Sequence, residues 1–228
     1  MKISPNDTIR KVIIKNGTLF GIGNKRIYES IAALPKPDYV KEKRRIFGWK
    51  KHEARSVAGI TMGELNAIER IEATDDYFVK VLAVMLGLIS PKGKGSKRID
   101  WEGAGYDIAR EKVLELQFIR AYRYFIEIQN ELKGVAKAWK KLEMPLTPQE
   151  ANAQVQRKNR GMSTICLGYC QLVGGAIQPS DVWHLRWSTV YLAYEAERDK
   201  NMAQRKLAQM NKPKPVSYTH LTLPTILL

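Results

Sequence analysis

The stretch from Gly59 to Pro91, GITMGELNAIERIEATDDYFVKVLAVMLGLISP, decides how the rest of the chain is read. Thr61 followed three residues later by Glu64 is a capping box, in which hydroxyl and carboxylate reciprocally satisfy free amides of a first helical turn. A helix is therefore predicted from Thr61 to about Ile71, with Leu65, Ile68 and Ile71 on one face. Thr74 or Asp75 is the predicted cap of a second helix, with an apolar stripe of Phe78, Val81, Leu82, Met85 and Leu88. Gly87 and Pro91 close it. Two capped amphipathic helices without chemical apparatus suggest a docking surface.

Upstream lies a basic front section, Met1 to Ser56. Ile9 to Ile14, Asn16-Gly17 and Thr18 to Ile22 read as a hairpin with a two-residue turn. They read equally as a helix, because Ile9, Val12 and Ile13 stand at i, i+3, i+4 and Asn16-Gly17 is a helix stop. Both readings stay open. A helix from about Lys25 to Leu34 is broken by Pro35-Lys36-Pro37.

In YVKEKRRIFGWKKHEAR, Tyr39 to Arg55, Lys and Arg surround Phe47 and Trp49. Basic side chains neutralise phosphates and aromatics stack on bases. Lys43, Arg44, Arg45, Trp49, Lys50 and Lys51 are thus candidate nucleic-acid contacts, joined in charge by Lys94, Lys97 and Arg98 of the loop PKGKGSKR. The competing reading is a solvated linker whose two aromatics tuck into the core. The loop is no P-loop, since GxxxxGK[ST] is satisfied at no register.

Downstream, helix resumes from Tyr106 with a break near Leu116 and Gln117. Phe118, Ala121, Tyr122, Phe125, Ile128, Leu132, Val135, Trp139 and Leu142 then repeat at helical spacing, a core stripe that Gly134 is expected to bend and Pro145 to end. Thr147-Pro148-Gln149-Glu150 is a second capping box. An apolar helix from about Ser163 to Val173 is stopped by Gly174-Gly175. Asp181 opens a short turn bearing Val182 and Leu185, and Ser188 is the expected cap of a last helix reaching Met210. Val190, Ala193 and Tyr194 line its start and charge dominates afterwards, so it is expected to dock by its first half only. The fold class predicted is mainly α, a helical bundle of several short amphipathic helices with at most a small N-terminal hairpin. Its sections are 1–56 (basic), 57–145 (helical core) and 146–215 (C-terminal helical).

Residues 216–228 are set apart. Val216 to Thr225, VSYTHLTLPT, has no charged residue of the Lys, Arg, Asp or Glu type. One reverse translation of it resembles a transposon-end sequencing adapter, so the segment is expected to be non-native and is excluded from fold reasoning. The formal charge of +15 is untouched by that exclusion, and a basic chain attracts acidic partners, nucleic acid among them. Cys166 and Cys170, spaced C-x3-C in an apolar stretch, read as buried thiols of a reducing cytoplasm. With His184 as the one plausible addition they fall short of a closed zinc site. No metal or cofactor is expected. No apolar run approaches the roughly 18–20 residues that span a bilayer, so no membrane partner is expected either.

Acid-base catalysis needs convergent groups with displaced pKa values. Glu64, Glu69, Glu72, Asp75 and Asp76 cluster, but as caps and solvent-facing residues, and His52 and His184 lie in no nucleophile or metal motif. A non-catalytic protein is expected.

Three blocks now coincide: I-T-M-G-E-L before a short helix, VKVLAVMLGLISP, and an R-E-x-x-x-x-L segment feeding AYRYFIEI. With the closing D-V-x-x-L-x-W-S-T-V-Y run, Asp181 to Tyr191, they resemble the tail assembly chaperones of tailed bacteriophages over about residues 57–210. The resemblance implies a protein of the host bacterial cytoplasm. Its partners would be the long helical tape measure protein, whose apolar faces it keeps from aggregating, and the tail tube protein. Trp183, Trp187 and Tyr191 are the first partner contacts expected, because aromatics dominate binding hot spots. The alternatives are a basic helical nucleic-acid-binding protein of phage DNA packaging or replication, and a virion connector protein.

Overall fold

The computed structural model describes residues 3–17, 25–44, 48–74, 76–91, 98–143, 152 and 161–211. The fold is mainly α: among the described residues there are nine helices and one two-stranded sheet. The capping box at Thr61 and Glu64, the stretch 147–150, the loop 92–97 and the tail 216–228 divide accordingly. The first is observed, and the others lie outside the described residues, as do Asp75, Arg45 and Phe47.

The quoted stretch is core, not a docking surface. Helix α3, Met62–Glu69, starts at Thr61, whose Oγ accepts the Glu64 N–H at 3.1 Å while the Glu64 carboxylate accepts the Thr61 N–H at 2.9 Å. Helix α4 runs Tyr77–Met85 and buries Phe78, Val79, Val81, Leu82, Ala83, Val84 and Met85. A helix apolar all round belongs inside a protein, and that overrides the predicted single stripe. Lys80 is the exception, and its ammonium reaches the rings of Trp101 at 5.6 Å and Tyr106 at 5.9 Å. The predicted cap is also displaced. Asp76 precedes the helix without a side-chain capping bond, and Thr74 contributes its backbone carbonyl to Tyr77 N–H at 2.9 Å.

Ahead of this core, residues 9–16 resolve as helix. Helix α1, Ile9–Asn16, is capped by the Thr8 hydroxyl and stopped by Gly17 at φ 72, a left-handed conformation that favours glycine. Ile9 and Val12 are fully buried, and Arg10 ties α1 to helix α5 (Ala104–Leu114) through Glu111 at 2.5 Å and to Glu115 just beyond it at 2.7 Å. Helix α2, Lys25–Ala32, ends two residues short of the predicted Leu34.

The hairpin lies later than expected, in the stretch read as linker or nucleic-acid segment. Strand β1, Tyr39–Lys43, pairs antiparallel with β2, Trp49–Glu53, in register Tyr39↔Glu53, Lys41↔Lys51 and Lys43↔Trp49. Its inner face places Val40 and His52 against the core, with His52 Nε2 2.5 Å from Glu42. The predicted helix break sits on the other side of β1. Gln117 N–H donates to Lys41 O at 2.7 Å and Lys43 N–H to Glu115 O at 2.9 Å, so the break covers an edge that would otherwise present unpaired backbone groups.

Helix α6, Phe118–Lys141, passes through Gly134 as one helix, crosses α4 with Phe125 on Phe78 at 4.9 Å and meets α2 with Tyr122 on Tyr28 at 4.9 Å. Its Glu131 accepts from Lys36 Nζ at 2.6 Å, Ser56 Oγ at 2.8 Å and Val57 N–H at 2.5 Å, fastening the 3-10 turn Val57–Gly59 to α6. Burial raises the carboxyl's pKa, but the three bonds together outweigh it and hold it below its ordinary 4.5. Asp7 is held below 3.8, chiefly by the Lys15 hydrogen bond and then the Ser4 amide. A carboxylate depressed in the folded state stabilises above its unfolded pKa and loses that contribution as pH falls through its folded one. Unfolding midpoints should therefore drop on acidification from 4.5 and 3.8 downward. Glu131→Gln should lower the pH 7 midpoint and flatten that acid limb in pH-dependent urea titrations.

The chain closes with helix α7, Met162–Leu172, the short helix α8, Pro179–Val182, and helix α9, Trp187–Met210. Cys166 and Cys170 are buried on α7. Gly168 lets α9 approach, since a Cβ there would stand 2.3 Å from the Tyr194 hydroxyl, which donates to Ile165 O at 2.8 Å. Ser188 is not the cap. Arg186 occupies that position without a side-chain bond, and the Ser188 hydroxyl donates to Ala58 O at 3.3 Å. One hydrophobic cluster joins Ile9 and Val40 at the front to Val182, Trp187 and Val190 at the end.

Candidate functional site

The motif blocks far apart in sequence meet at the start of α3. Met62 N–H donates to Leu185 O at 2.8 Å, Gly63 N–H to Trp183 O at 2.9 Å, and Trp187 N–H to Ile60 O at 3.2 Å. The orphan amides of the α3 N-terminus thus bind the turn ahead of α9.

This junction accounts for the aromatic residues predicted as partner contacts, and it corrects their assignment. Trp183 is 3% exposed and Trp187 9%, with the Trp187 indole N–H donating to Val57 O at 2.6 Å. Tyr191 is half-buried, its ring edge-on to Trp139 at 5.7 Å and to Trp187 at 6.0 Å, its hydroxyl 2.9 Å from Glu195. The cluster wedges α9 against α6 and the Val57–Gly59 turn. Trp183 and Trp187 are core residues of this fold, because their rings are needed to fill that junction.

Two exposed surfaces are candidates for a partner. On α9, Leu192 is 60%, Leu207 59% and Met210 79% exposed, and Ala196 and Ala203 are exposed as well. At 3.6 residues per turn these five fall in a sector of about 60°, opposite the anchoring Trp187, Val190 and Tyr194, in a stripe about 27 Å long. Asp199 interrupts it, and Lys200 and Lys206 border it on either side. Charge therefore does not simply take over after Tyr194. The sequence signal is a second stripe, opposite the docked one.

The second surface is the hairpin's outer face. Pairing brings Lys43 beside Trp49 and Lys51 beside Lys41, and puts Lys50 on the opposite face across from Glu42. Arg44 follows β1, its N–H bonded to Gly48 O at 3.0 Å. Arg98 lies in the segment before α5 and is exposed, whereas Arg45, Lys94 and Lys97 lie outside the described residues. Lys41 and Arg120 were not singled out from sequence. Their signal was the alternation in Tyr39, Lys41, Lys43, visible only once the strand is recognised.

The titratable groups with displaced pKa values serve the fold. Arg10 is raised by the hydrogen bonds it donates to Glu115 and then Glu111, and burial pushes the Tyr106 hydroxyl up to about 12. Burial likewise raises Glu69 and Tyr124, the latter donating to Arg55 O at 2.7 Å. Among the described residues no group of three or more His, Cys, Asp or Glu is placed to hold a metal ion, and no helix is long and apolar enough to cross a membrane. No protein-family model, no curated protein and no solved structure matches the chain.

Proposed function

We propose that this chain is a non-catalytic assembly chaperone of the phage-tail type, and that it holds a long helical partner, the tape measure protein, along the exposed stripe of α9. The observation that carries this reading is the stripe itself. Leu192, Ala196, Ala203, Leu207 and Met210 line one side of a helix whose other side is anchored in the core. Anchors at helical spacing are how an amphipathic helix engages an apolar groove or another helix. The resemblance over residues 57–210 supplies the partner's identity, and the tail tube protein and host cytoplasm belong to the same proposal. Lys200, Arg205 and Lys206, with no carboxylate beyond Asp199 in the last part of α9, suit a partner that is acidic beside its apolar face.

The test is co-expression with the tape measure protein encoded beside this chain. Wild type should keep it soluble and co-purify with it. The double variant Leu207→Glu, Met210→Glu should weaken binding by at least about 100-fold, the cost of losing two apolar anchors. It should leave the unfolding midpoint unchanged. Equal capture by the variant, or capture of nothing by wild type, would overturn the reading.

A further inference from the structure

The outer face of the hairpin carries Tyr39, Lys41 and Lys43 from β1 and Trp49, Lys51 and Glu53 from β2. Lys41 and Lys51 stand directly opposite one another, a placement that costs stability because like charges then face each other across two strands. Among the described residues no carboxylate lies within ion-pair distance of Lys41, Lys43, Lys51 or Arg120. What gathers three of them is an aromatic ring: Lys51 Nζ stands 4.6 Å, the Arg120 guanidinium 4.7 Å and Lys41 Nζ 6.0 Å from the centre of Tyr39. A π-face orders cations without cancelling their charge. The result is a positive row ordered by the Tyr39 ring.

We infer that this face is a binding site for a nucleic-acid phosphate backbone. Same-face side chains repeat at about 6.7 Å along a strand and about 4.8 Å across strands, so the cations form a row that a chain of phosphates can follow. Lysines sit among the two aromatics of this face, Tyr39 and Trp49, whereas the centre of a protein interface is depleted of lysine. Recognition is by charge and shape, without base reading, since the ring of Tyr39 is already occupied by cations. This function uses a different surface from the α9 stripe and stands or falls independently of it.

The experiment is fluorescence anisotropy of the full chain with a labelled duplex, a labelled single strand of the same sequence, and poly-glutamate, each across a salt series. Four phosphate contacts give a log-log slope of about −3.6 on duplex, a loss of about 150-fold between 50 and 200 mM salt. The diagnostic variant is Lys51→Glu. It sets opposite charges across the strands from Lys41, which offsets the lost contact with the Tyr39 ring, so the hairpin should keep its stability, yet it should weaken binding at least about tenfold. Lys112→Glu, an exposed change on α5, alters net charge equally and should bind as wild type. Whichever of duplex or single strand binds tighter under this pattern identifies the natural backbone. Absence of binding at 50 mM salt, equal loss in Lys51→Glu and Lys112→Glu, or poly-glutamate binding as tight as nucleic acid would overturn the proposal.

Discussion

Replacing Arg55 by Met is expected to destabilise the protein by about 2–4 kcal/mol, because a nearly buried carboxylate and two helix carbonyls lose their donor together. Arg55 Nε donates to Met85 O at 2.8 Å, and its Nη2 donates to Val84 O at 2.7 Å and Glu64 Oε1 at 3.0 Å. The carbonyls belong to the last turn of α4, where the helix dipole favours a cation; Val84 O also accepts the Gly87 N–H at 2.9 Å, so Arg55 is its second donor. Glu64 is meanwhile one half of the capping box that starts α3. One guanidinium thus closes the end of one helix and orients the cap of the next. Met retains the apolar stem but none of the donors. The Arg55 side chain is one-third exposed, so water compensates in part, and the lower half of the range is expected. Arg55→Lys should fall between, since a single ammonium cannot reproduce a planar fork. Urea titration at pH 7 measures this, and a midpoint unchanged in Arg55→Met would show that the three bonds do not support the fold.

Arg55 also shows what was legible in the sequence and what was not. Asn16-Gly17 fitted a helix stop and a hairpin turn equally, whereas other features encoded within four residues were readable: the Thr61/Glu64 box and the stop at Gly174-Gly175, both glycines of which have positive φ. So was the break at Leu116 and Gln117, although not its role as a cover for β1. The hairpin escaped because its inner face needs only Val40 and His52. With one apolar residue turned inward, the alternation that marks a half-buried strand is nearly silent. Arg55 read as one more cation of a basic segment because its three acceptors lie 9, 29 and 30 residues away. The same distance effect misplaced α4. Five apolar residues on one stripe satisfied the amphipathic pattern, while Val79, Ala83 and Val84, which fill the remaining sides, count only once neighbours surround the helix. Of the candidate surfaces, the basic segment was legible as charge, but its directional order required the register Lys41↔Lys51 and the position of Arg120 above Tyr39.

Trp187→Ala is expected to cost about 3–5 kcal/mol, the range for removing a large aromatic from a packed core. Its effect separates a core role from a partner-binding one. The indole fills the junction of α9, α6 and the Val57–Gly59 turn, and its N–H supplies Val57 O at 2.6 Å. Truncation leaves a cavity and leaves Val57 O with only the Ile60 N–H at 3.3 Å, at the point where the second half of the chain is tied to the first by the Trp187 backbone N–H on Ile60 O. Trp187→Phe keeps most of the ring but not the donor, and should cost about 1–3 kcal/mol. A surface anchor behaves in the opposite way, because its truncation spares folding and weakens association. Thermal and urea unfolding of the two variants, set beside the Leu207→Glu, Met210→Glu double variant, therefore sort α9 by face. The inner face should move the unfolding midpoint and the outer face should not. If Trp187→Ala unfolds at the wild-type midpoint, the indole is not holding α9, and the stripe opposite it would have no fixed base from which to present Leu207 and Met210 to a partner.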